Sequence, residues 1–169
     1  MVKLHEITPG QITDNVFKLI GKEWMLITAG QDGNFNMMTA SWGGLGFLWG
    51  LPVSFIFVRP QRYTFEFMEQ HTNYTLSFYS SKYRDVLNLC GTKSGRDIDK
   101  VAETGLTPLT MDSGAVYFAE SRLVLECRKL YTHDLSAQQF LNDDIPTRAY
   151  AAEDYHRMYV GEIVRCLSR

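Results

Sequence analysis

Two arginines stand three positions apart where an apolar stretch gives way to a predicted helix. Arg59 and Arg62 flank Pro60, a residue tolerated in the first turn of a helix. Backbone N–H groups at a helix start have no helical partner and attract anions. Arginine adds paired hydrogen bonds that suit a phosphate, and Thr64 adds a hydroxyl. The pattern predicts a phosphate site; the alternative is two solvated surface arginines.

A second segment, upstream, carries short polar side chains on a predicted strand. Asn36, Thr39 and Ser41 are small or polar, and Trp42 adds a large ring. Alternation along a strand sends Thr39 and Ser41 to the same side. Hydroxyls and backbone N–H groups there can serve the carbonyls and ring nitrogens along one edge of an isoalloxazine. The alternative is an ordinary edge strand that leads into a turn.

A third segment begins at Ser94 and precedes a predicted short helix. Gly95 permits a close backbone approach, and Ser94 or Asp97 can cap the helix. Arg96 and Lys100 are four residues apart and lie on one helical face, where they form a second positive point. The segment lacks the glycine and lysine spacing of a Walker loop. The alternative is a solvated turn before a capped helix.

Histidines and cysteines show no spacing typical of a catalytic or metal site. No Cys-x-x-Cys pair occurs among the three cysteines, so no metal site is predicted and buried, reduced thiols are expected. His133 and His156 are interpreted as structural, because no nucleophile, base and acid can be assembled around them from spacing.

Composition indicates one soluble globular domain over residues 1–169. Hydrophobic residues make up 45% of the chain and charged residues 21%, enough to bury one substantial core. The formal net charge of -2 argues against nucleic acid as a partner. No stretch reaches the length of a membrane span, and the start is not typical of a signal peptide. A cytoplasmic protein without membrane partners is therefore expected.

Periodicity predicts a mainly β fold that positions these segments. Predicted strands cover 16–20, 24–29, 35–42, 53–58, 74–78, 115–119, 122–131 and 158–167. Predicted short helices cover 60–71, 83–89 and 97–104, with Gly105 as the C-cap of the last. Residues 43–50 contain four glycines and are predicted to form a loop. The connections are short, so the strands are expected to pair antiparallel in a barrel or sandwich.

Four stretches, at 36–42, 59–64, 90–100 and 125–127, are similar in order and spacing to one known family. They resemble the flavin reductase-like family, FMN-binding split barrels that include flavoredoxin. The likeness extends over residues 10 to 168. It implies an antiparallel barrel of the six-stranded type with short flanking helices. It also implies a homodimer with FMN near the subunit interface.

The resemblance also implies which residues contact FMN. Residues 39–42 would contact the isoalloxazine or ribityl chain, 59 and 62–64 the phosphate, and the segment from 94 to 100 would close the site. The cofactor-binding residues predicted in this way are Asn36, Met38, Thr39, Ala40, Ser41, Trp42, Arg59, Arg62, Tyr63, Thr64, Ser94, Gly95, Arg96 and Lys100.

The function implied is an FMN-dependent oxidoreductase that moves hydride or electrons through bound FMN, with NAD(P)H as donor. One alternative is a flavoredoxin-like carrier that passes electrons between protein partners, and another is a non-catalytic flavin-binding module. The aromatic, glycine-rich stretch 46–50 is bulkier than the family pattern. It leaves open how readily NAD(P)H reaches the ring, and the sequence does not choose between NADH and NADPH.

Overall fold

The computed structural model describes residues 3–169, and strands dominate that part of the chain. Its strands are β1 (His5–Ile7), β2 (Met25–Gln31), β3 (Asn34–Ala40), β4 (Gly43–Leu48), β5 (Leu51–Val58), β6 (Asn73–Phe78), β7 (Pro108–Thr110), β8 (Val116–Phe118), β9 (Leu123–Asp134) and β10 (Arg157–Ser168). Its α-helices are α1 (Val16–Lys18), α2 (Tyr63–Gln70), α3 (Arg84–Thr92), α4 (Lys100–Thr104) and α5 (Asp144–Ala149).

Most strands belong to one antiparallel sheet. Its hydrogen-bonded order is β3-β2-β6-β9-β10-β5-β4, and β1 pairs with the end of β10. A separate hairpin joins β7 to β8. The prediction of a mainly β, antiparallel fold with short flanking helices is confirmed. The sheet has eight strands, because the short β1 and the glycine-rich β4 both join it.

The core lies where the central strands face α2 and α3. Ile27, Leu76 and Leu125 are fully buried on β2, β6 and β9, and Met68 of α2 packs against the same cluster. On another side, Leu87 of α3 packs with residues of β2 and β3. Burial of each such side chain stabilises the fold by about 1.5–3 kcal/mol. Strand β3 is thereby held beside both helices, which sets the position of its polar residues.

The predicted strand at residues 16–20 is wrong, because this segment is helical. Asn15 caps α1 through a hydrogen bond of 3.0 Å from the backbone N–H of Lys18 to its side-chain oxygen. A π-helical turn over Leu19–Glu23 follows and buries Leu19 and Ile20. The apolar residues that looked like a strand therefore face the core from one side of a helical turn.

The predicted loop at residues 43–50 is also wrong, because most of it forms the edge strand β4. A Cβ atom at Gly43 would lie 2.5 Å from the carbonyl oxygen of Phe55, and one at Gly46 would lie 3.3 Å from the Phe55 ring. Gly43 and Gly46 are needed because β4 runs close to Phe55 while it pairs with β5. Gly50 has open space around it and a positive φ of 77°, which suits the turn that follows β4.

The helices near the predicted phosphate site are shorter than expected. α2 begins at Tyr63, after a turn in which the N–H of Arg62 bonds to the carbonyl of Arg59, so Pro60 lies before the helix. α4 begins at Lys100, because the Asp99 carboxylate accepts hydrogen bonds of 2.9 and 3.1 Å from the backbone N–H groups of Val101 and Ala102. Gly105 ends α4 in the left-handed conformation, as predicted.

Candidate functional site

Two adjoining cavities collect most of the predicted site residues. The strand cavity, of about 250 Å³, is lined by Met38, Thr39, Ala40, Ser41, Trp42, Phe57, Arg59, Arg62 and His156. The helix-start cavity, of about 100 Å³, is lined by Asn36, Gln61, Arg62, Tyr63, Thr64, Thr92, Lys93, Ser94, Gly95 and Lys100. Arg62 lines both. Of the predicted residues, Arg96 alone lines neither of these two cavities.

Arg62 stands at the junction because it is the last residue before α2 and reaches across to the end of α3. Its guanidinium donates hydrogen bonds of 2.8 Å to the carbonyl of Gly91 and 3.3 Å to the carbonyl of Cys90. Helix-end carbonyls carry partial negative charge and orient this cation. Burial, and then the nearby charge of Arg59, lower the pKa of Arg62.

Lys100 is the second cation at the helix-start cavity, and its side chain is buried. Its Nζ donates to the carbonyl oxygens of Met37 at 2.8 Å and Cys90 at 3.1 Å, so it connects β3 with α3. Burial lowers the pKa of Lys100 to about 8. Neither Lys100 nor Arg62 forms a salt bridge with a carboxylate in residues 3–169. The buried Lys100 and the half-buried Arg62, neither with a counter-ion, favour an anion in the cavity between them.

The start of α2 adds hydrogen-bond donors to the same cavity. The backbone N–H groups of Tyr63 and Thr64 have no hydrogen-bond partner among the described residues. The amide of Asn36 donates a 2.8 Å hydrogen bond to the Thr64 hydroxyl oxygen, which leaves the hydroxyl hydrogen available. These donors, together with Arg62 and Lys100, fit a phosphate group.

The loop at residue 94 closes the helix-start cavity through a close contact. A Cβ atom at Gly95 would lie 2.1 Å from Oδ1 of Asn36, so any other residue there would displace the Asn36 side chain. The Ser94 hydroxyl accepts a 3.1 Å bond from the N–H of Arg96. The Arg96 side chain pairs with Glu66 and lies over the Tyr63 ring, 4.6 Å from its centroid. Arg96 therefore fastens this loop to α2.

The strand cavity has one wall formed by the end of β3 and the residues after it. The Thr39 hydroxyl donates a 2.6 Å hydrogen bond to the carbonyl of Leu87, so it joins β3 to α3. Arg59 lines this cavity and not the helix-start cavity, and it pairs with Asp154. Its Nη2 also donates to the carbonyl of Ala149 at 2.9 Å. Both arginines therefore line the strand cavity, but only Arg62 also lines the helix-start cavity.

His156 is a site residue that the sequence did not identify. It lines the strand cavity, and its ring centroid lies 5.1 Å from that of Trp42. Nδ1 of His156 lies 2.8 Å from the hydroxyl of Tyr150. Burial, and then the charge of Arg59, lower the pKa of His156 to about 4, so the ring is neutral at pH 7. The sequence signal that could have identified His156 is its position just before the strand β10.

His133 is not part of either cavity. It is exposed on β9, and its ring stacks on Tyr131 with centroids 6.3 Å apart. In residues 3–169 no group of three or more His, Cys, Asp or Glu side chains is placed to hold a metal ion. Among the described helices, none combines the length and apolar character needed to cross a bilayer.

The comparison with protein families decides the family. The model of the family described as "Flavin reductase like domain" matches residues 17–169. The chain belongs to the flavin reductase-like family. Its resemblance to that family, expected from the four sequence stretches, is thereby confirmed. No curated protein matches the chain significantly.

Solved structures similar to this flavin reductase-like chain share its fold. An FMN-binding protein from Thermus thermophilus, crystallised with p-hydroxybenzaldehyde, is 17% identical; the match covers 96% of this chain and 78% of that one, with a TM-score of 0.69. Flavoredoxin from Methanosarcina acetivorans is 22% identical, with 96% and 76% covered and a TM-score of 0.69. An NADH:FAD oxidoreductase from Streptomyces globisporus C-1027 is 14% identical, with 85% and 74% covered and a TM-score of 0.64.

Proposed function

We propose that this flavin reductase-like chain, as one domain, binds FMN across the two adjoining cavities. One observation carries the proposal: the half-buried Arg62 and the buried Lys100 have no described counter-ion and line one cavity with the free N–H groups at the start of α2. That arrangement fits a phosphate, and the strand cavity beside it is lined by short side chains and the Trp42 ring. A molecule that joins a phosphate to a flat ring system fits both cavities.

Each part of the site has a distinct task in this proposal. Arg62, Lys100 and the N–H groups of residues 63 and 64 hold the phosphate, and Gly95 lets the loop above it approach closely. Residues 38–42 position the ring, and the Trp42 and His156 side chains restrict water at its edge. Bound FMN supplies hydride and one-electron chemistry. The chain supplies position and electrostatics.

The activity proposed is an oxidoreductase that takes hydride from NAD(P)H. Among the relatives that share the fold, one is named as an NADH:FAD oxidoreductase. Hydride transfer to a flavin needs no general acid, which agrees with a neutral His156 at pH 7. The neutral ring beside Trp42 is therefore assigned to packing and orientation, and not to proton transfer.

The alternative of a flavoredoxin-like electron carrier is favoured by four exposed aromatic side chains, of which Trp42 lines the strand cavity. Trp42, Phe47, Trp49 and Tyr131 are 48%, 75%, 58% and 46% exposed. Exposed aromatic patches mark protein contacts. A homodimer is proposed on the same surface, since β4 is an edge strand with free hydrogen-bonding groups. Light scattering of purified protein measures whether it is a dimer.

Three measurements test the function. An absorption spectrum of purified protein, followed by denaturation, is expected to show released FMN. Steady-state oxidation of NADH or NADPH with FMN is expected to show turnover. Reduction of bound flavin by a protein donor without nucleotide turnover would favour the carrier, and flavin binding without either reaction would favour the non-catalytic module. A protein that binds no FMN at all would overturn the proposal.

A further inference from the structure

A row of aromatic rings runs from the strand cavity into the segment between β9 and β10. Trp42 lines the cavity, and its ring centroid lies 5.1 Å from that of His156. The His156 centroid lies 5.5 Å from that of Tyr150, and the Tyr150 ring stacks on Tyr155 with centroids 4.8 Å apart. Tyr150 is buried, whereas Tyr155 is half-buried at the outer end of the row. Rings this close together form a continuous path for an electron between the cavity and the surface.

The hydrogen bond in the middle of this row gives Tyr150 a proton acceptor. The Tyr150 hydroxyl oxygen lies 2.8 Å from Nδ1 of His156. A phenol is a stronger acid than a neutral imidazole N–H, so the hydroxyl is assigned as the donor and Nδ1 as the acceptor. Nδ1 can accept this bond because burial, and then the charge of Arg59, lower the pKa of His156 and keep its ring neutral at pH 7.

Arg59 makes it necessary for this proton to leave when Tyr150 loses an electron. The guanidinium carbon of Arg59 lies 5.3 Å from the centroid of the Tyr150 ring. A tyrosine that lost only an electron would carry a positive charge beside this cation, and the two charges would repel each other. Transfer of the phenolic proton to His156 leaves the tyrosine neutral. The new charge then lies on the imidazole, where the nearby Asp154 carboxylate partly offsets the repulsion by Arg59.

We propose that Trp42, Tyr150 and His156 form a relay that carries an oxidising equivalent from the strand cavity to Tyr155 at the surface. The oxidant is an oxygen-centred radical that reaches the cavity, and the final reductant is a small thiol in solution. The relay goes beyond the proposed function, because none of its steps uses a flavin. It also gives His156 a task that hydride transfer does not, since there the imidazole transfers no proton and here it receives one.

The relay balances in electrons and protons. The oxygen-centred radical takes one electron from Trp42 and one proton from solvent. Trp42 regains an electron from Tyr150, whose phenolic proton moves at the same time to Nδ1 of His156. Tyr150 then takes an electron from Tyr155 and its own proton back from His156, while the Tyr155 proton passes to solvent. The thiol restores Tyr155, so the net reaction transfers a hydrogen atom from the thiol to the oxygen radical.

The test is one-electron oxidation of the purified, flavin-free chain by azide radicals in pulse radiolysis, followed by the absorption of tryptophan and tyrosine radicals. Azide radicals oxidise tryptophan preferentially. Wild-type protein is expected to convert tryptophan radical to tyrosine radical in a fast phase that slows in deuterated water. Trp42→Phe and Tyr150→Phe are each expected to remove this phase. His156→Gln keeps a hydrogen-bond acceptor but removes the base, so it should slow the phase roughly tenfold and abolish the isotope effect.

Tyr131→Phe is the matched control. Tyr131 also lies beside a tryptophan, with its ring centroid 6.2 Å from that of Trp49, and it stacks on a histidine, His133. Its hydroxyl, unlike that of Tyr150, has no hydrogen-bond partner among residues 3–169. Removal of this hydroxyl is expected to leave the isotope-sensitive phase unchanged.

Three results would overturn the relay. They are a wild-type protein without the fast phase, a fast phase that survives Tyr150→Phe, and a His156→Gln variant that keeps both the wild-type rate and the isotope effect. Tyr155→Phe gives a second check at the outer end of the row, where it should prolong the lifetime of the Tyr150 radical without preventing its formation. An unchanged lifetime would remove Tyr155 from the path. All of these results are obtained without flavin, so none of them alters the proposal of FMN binding.

Discussion

The side-chain amide of Asn36 donates a hydrogen bond of 2.8 Å to the hydroxyl oxygen of Thr64. This buried contact joins β3, which borders the strand cavity, to the first turn of α2, which borders the helix-start cavity. It also turns the hydroxyl hydrogen of Thr64 away from Asn36. This hydrogen bond, together with the packing of Met38 against Phe67 and Met68, fixes the relative position of the two halves of the proposed flavin site.

Replacing Asn36 is expected to weaken FMN binding through this contact. Asn36→Ala removes a neutral hydrogen bond, which contributes about 1 kcal/mol, so the dissociation constant of FMN should rise about fivefold. Fluorescence titration measures it. Asn34→Ala is the matched control, because Asn34 is exposed on the same strand. Equal affinities in the two variants would show that the Asn36–Thr64 contact does not organise the site.

Arg62 is expected to contribute to the binding of phosphate and not of the ring. Arg62→Ala should weaken FMN binding by roughly 1.5–3 kcal/mol, the range for hydrogen bonds to charged groups. Riboflavin lacks the phosphate, so its affinity should change little. The titration is repeated with Arg128→Ala, which removes an exposed arginine that pairs with Glu162 elsewhere on the sheet. An unchanged FMN affinity would remove Arg62 from the phosphate site.

Gly95 is expected to tolerate no side chain while Asn36 is present. A Cβ atom there would lie 2.1 Å from Oδ1 of Asn36, so Gly95→Ala should cost about 1–3 kcal/mol in unfolding free energy and weaken FMN binding. Thermal unfolding measures the first effect. Gly10→Ala is the control, because a Cβ atom at Gly10 would meet no atom within 4 Å.

The double variant Asn36→Ala with Gly95→Ala gives a sharper check of the same contact. Removal of the Asn36 amide leaves room for the new methyl group. The loss of stability in the double variant should therefore be smaller than the sum of the losses in the two single variants. Strict additivity would locate the effect of Gly95→Ala somewhere other than this contact.

Lys100 is expected to make both stability and FMN affinity depend on pH above 8. Burial lowers its pKa to about 8 in the folded chain, against 10.5 for a solvated lysine. Between these values the unfolded chain binds more protons, so the free energy of unfolding of flavin-free protein should rise with pH across that window. FMN affinity should fall there, because the neutral amine no longer attracts the phosphate.

Denaturant unfolding and FMN titration at a series of pH values measure both effects. Lys100→Met removes the titrating group and keeps a long apolar side chain, so both pH dependences should flatten in this variant. Riboflavin is the ligand control, because it carries no phosphate. If Lys100→Met kept the wild-type pH profile, another group would be responsible.

The parts of the fold that follow from local pattern were predictable. Alternating residues in β6 and the continuous apolar run of β5 produce strands because their side chains bury on a pleated surface. Residues 16–20 have an equally apolar pattern, but the cap by Asn15 and the packing of Leu19 and Ile20 make the segment helical. A short apolar run does not distinguish a helix from a strand, because burial of its side chains stabilises either conformation.

By itself, the sequence determined the antiparallel β character and the flavin reductase-like family, and it predicted most of the residues that line the two cavities. These depend on residue type, order and spacing along the chain. Only the tertiary structure decided that β4 runs over Phe55, that Arg59 pairs with Asp154 and that Lys100 connects β3 with α3. The physical reason is that the energy of a buried charge or a close backbone approach depends on atoms that distant parts of the chain supply.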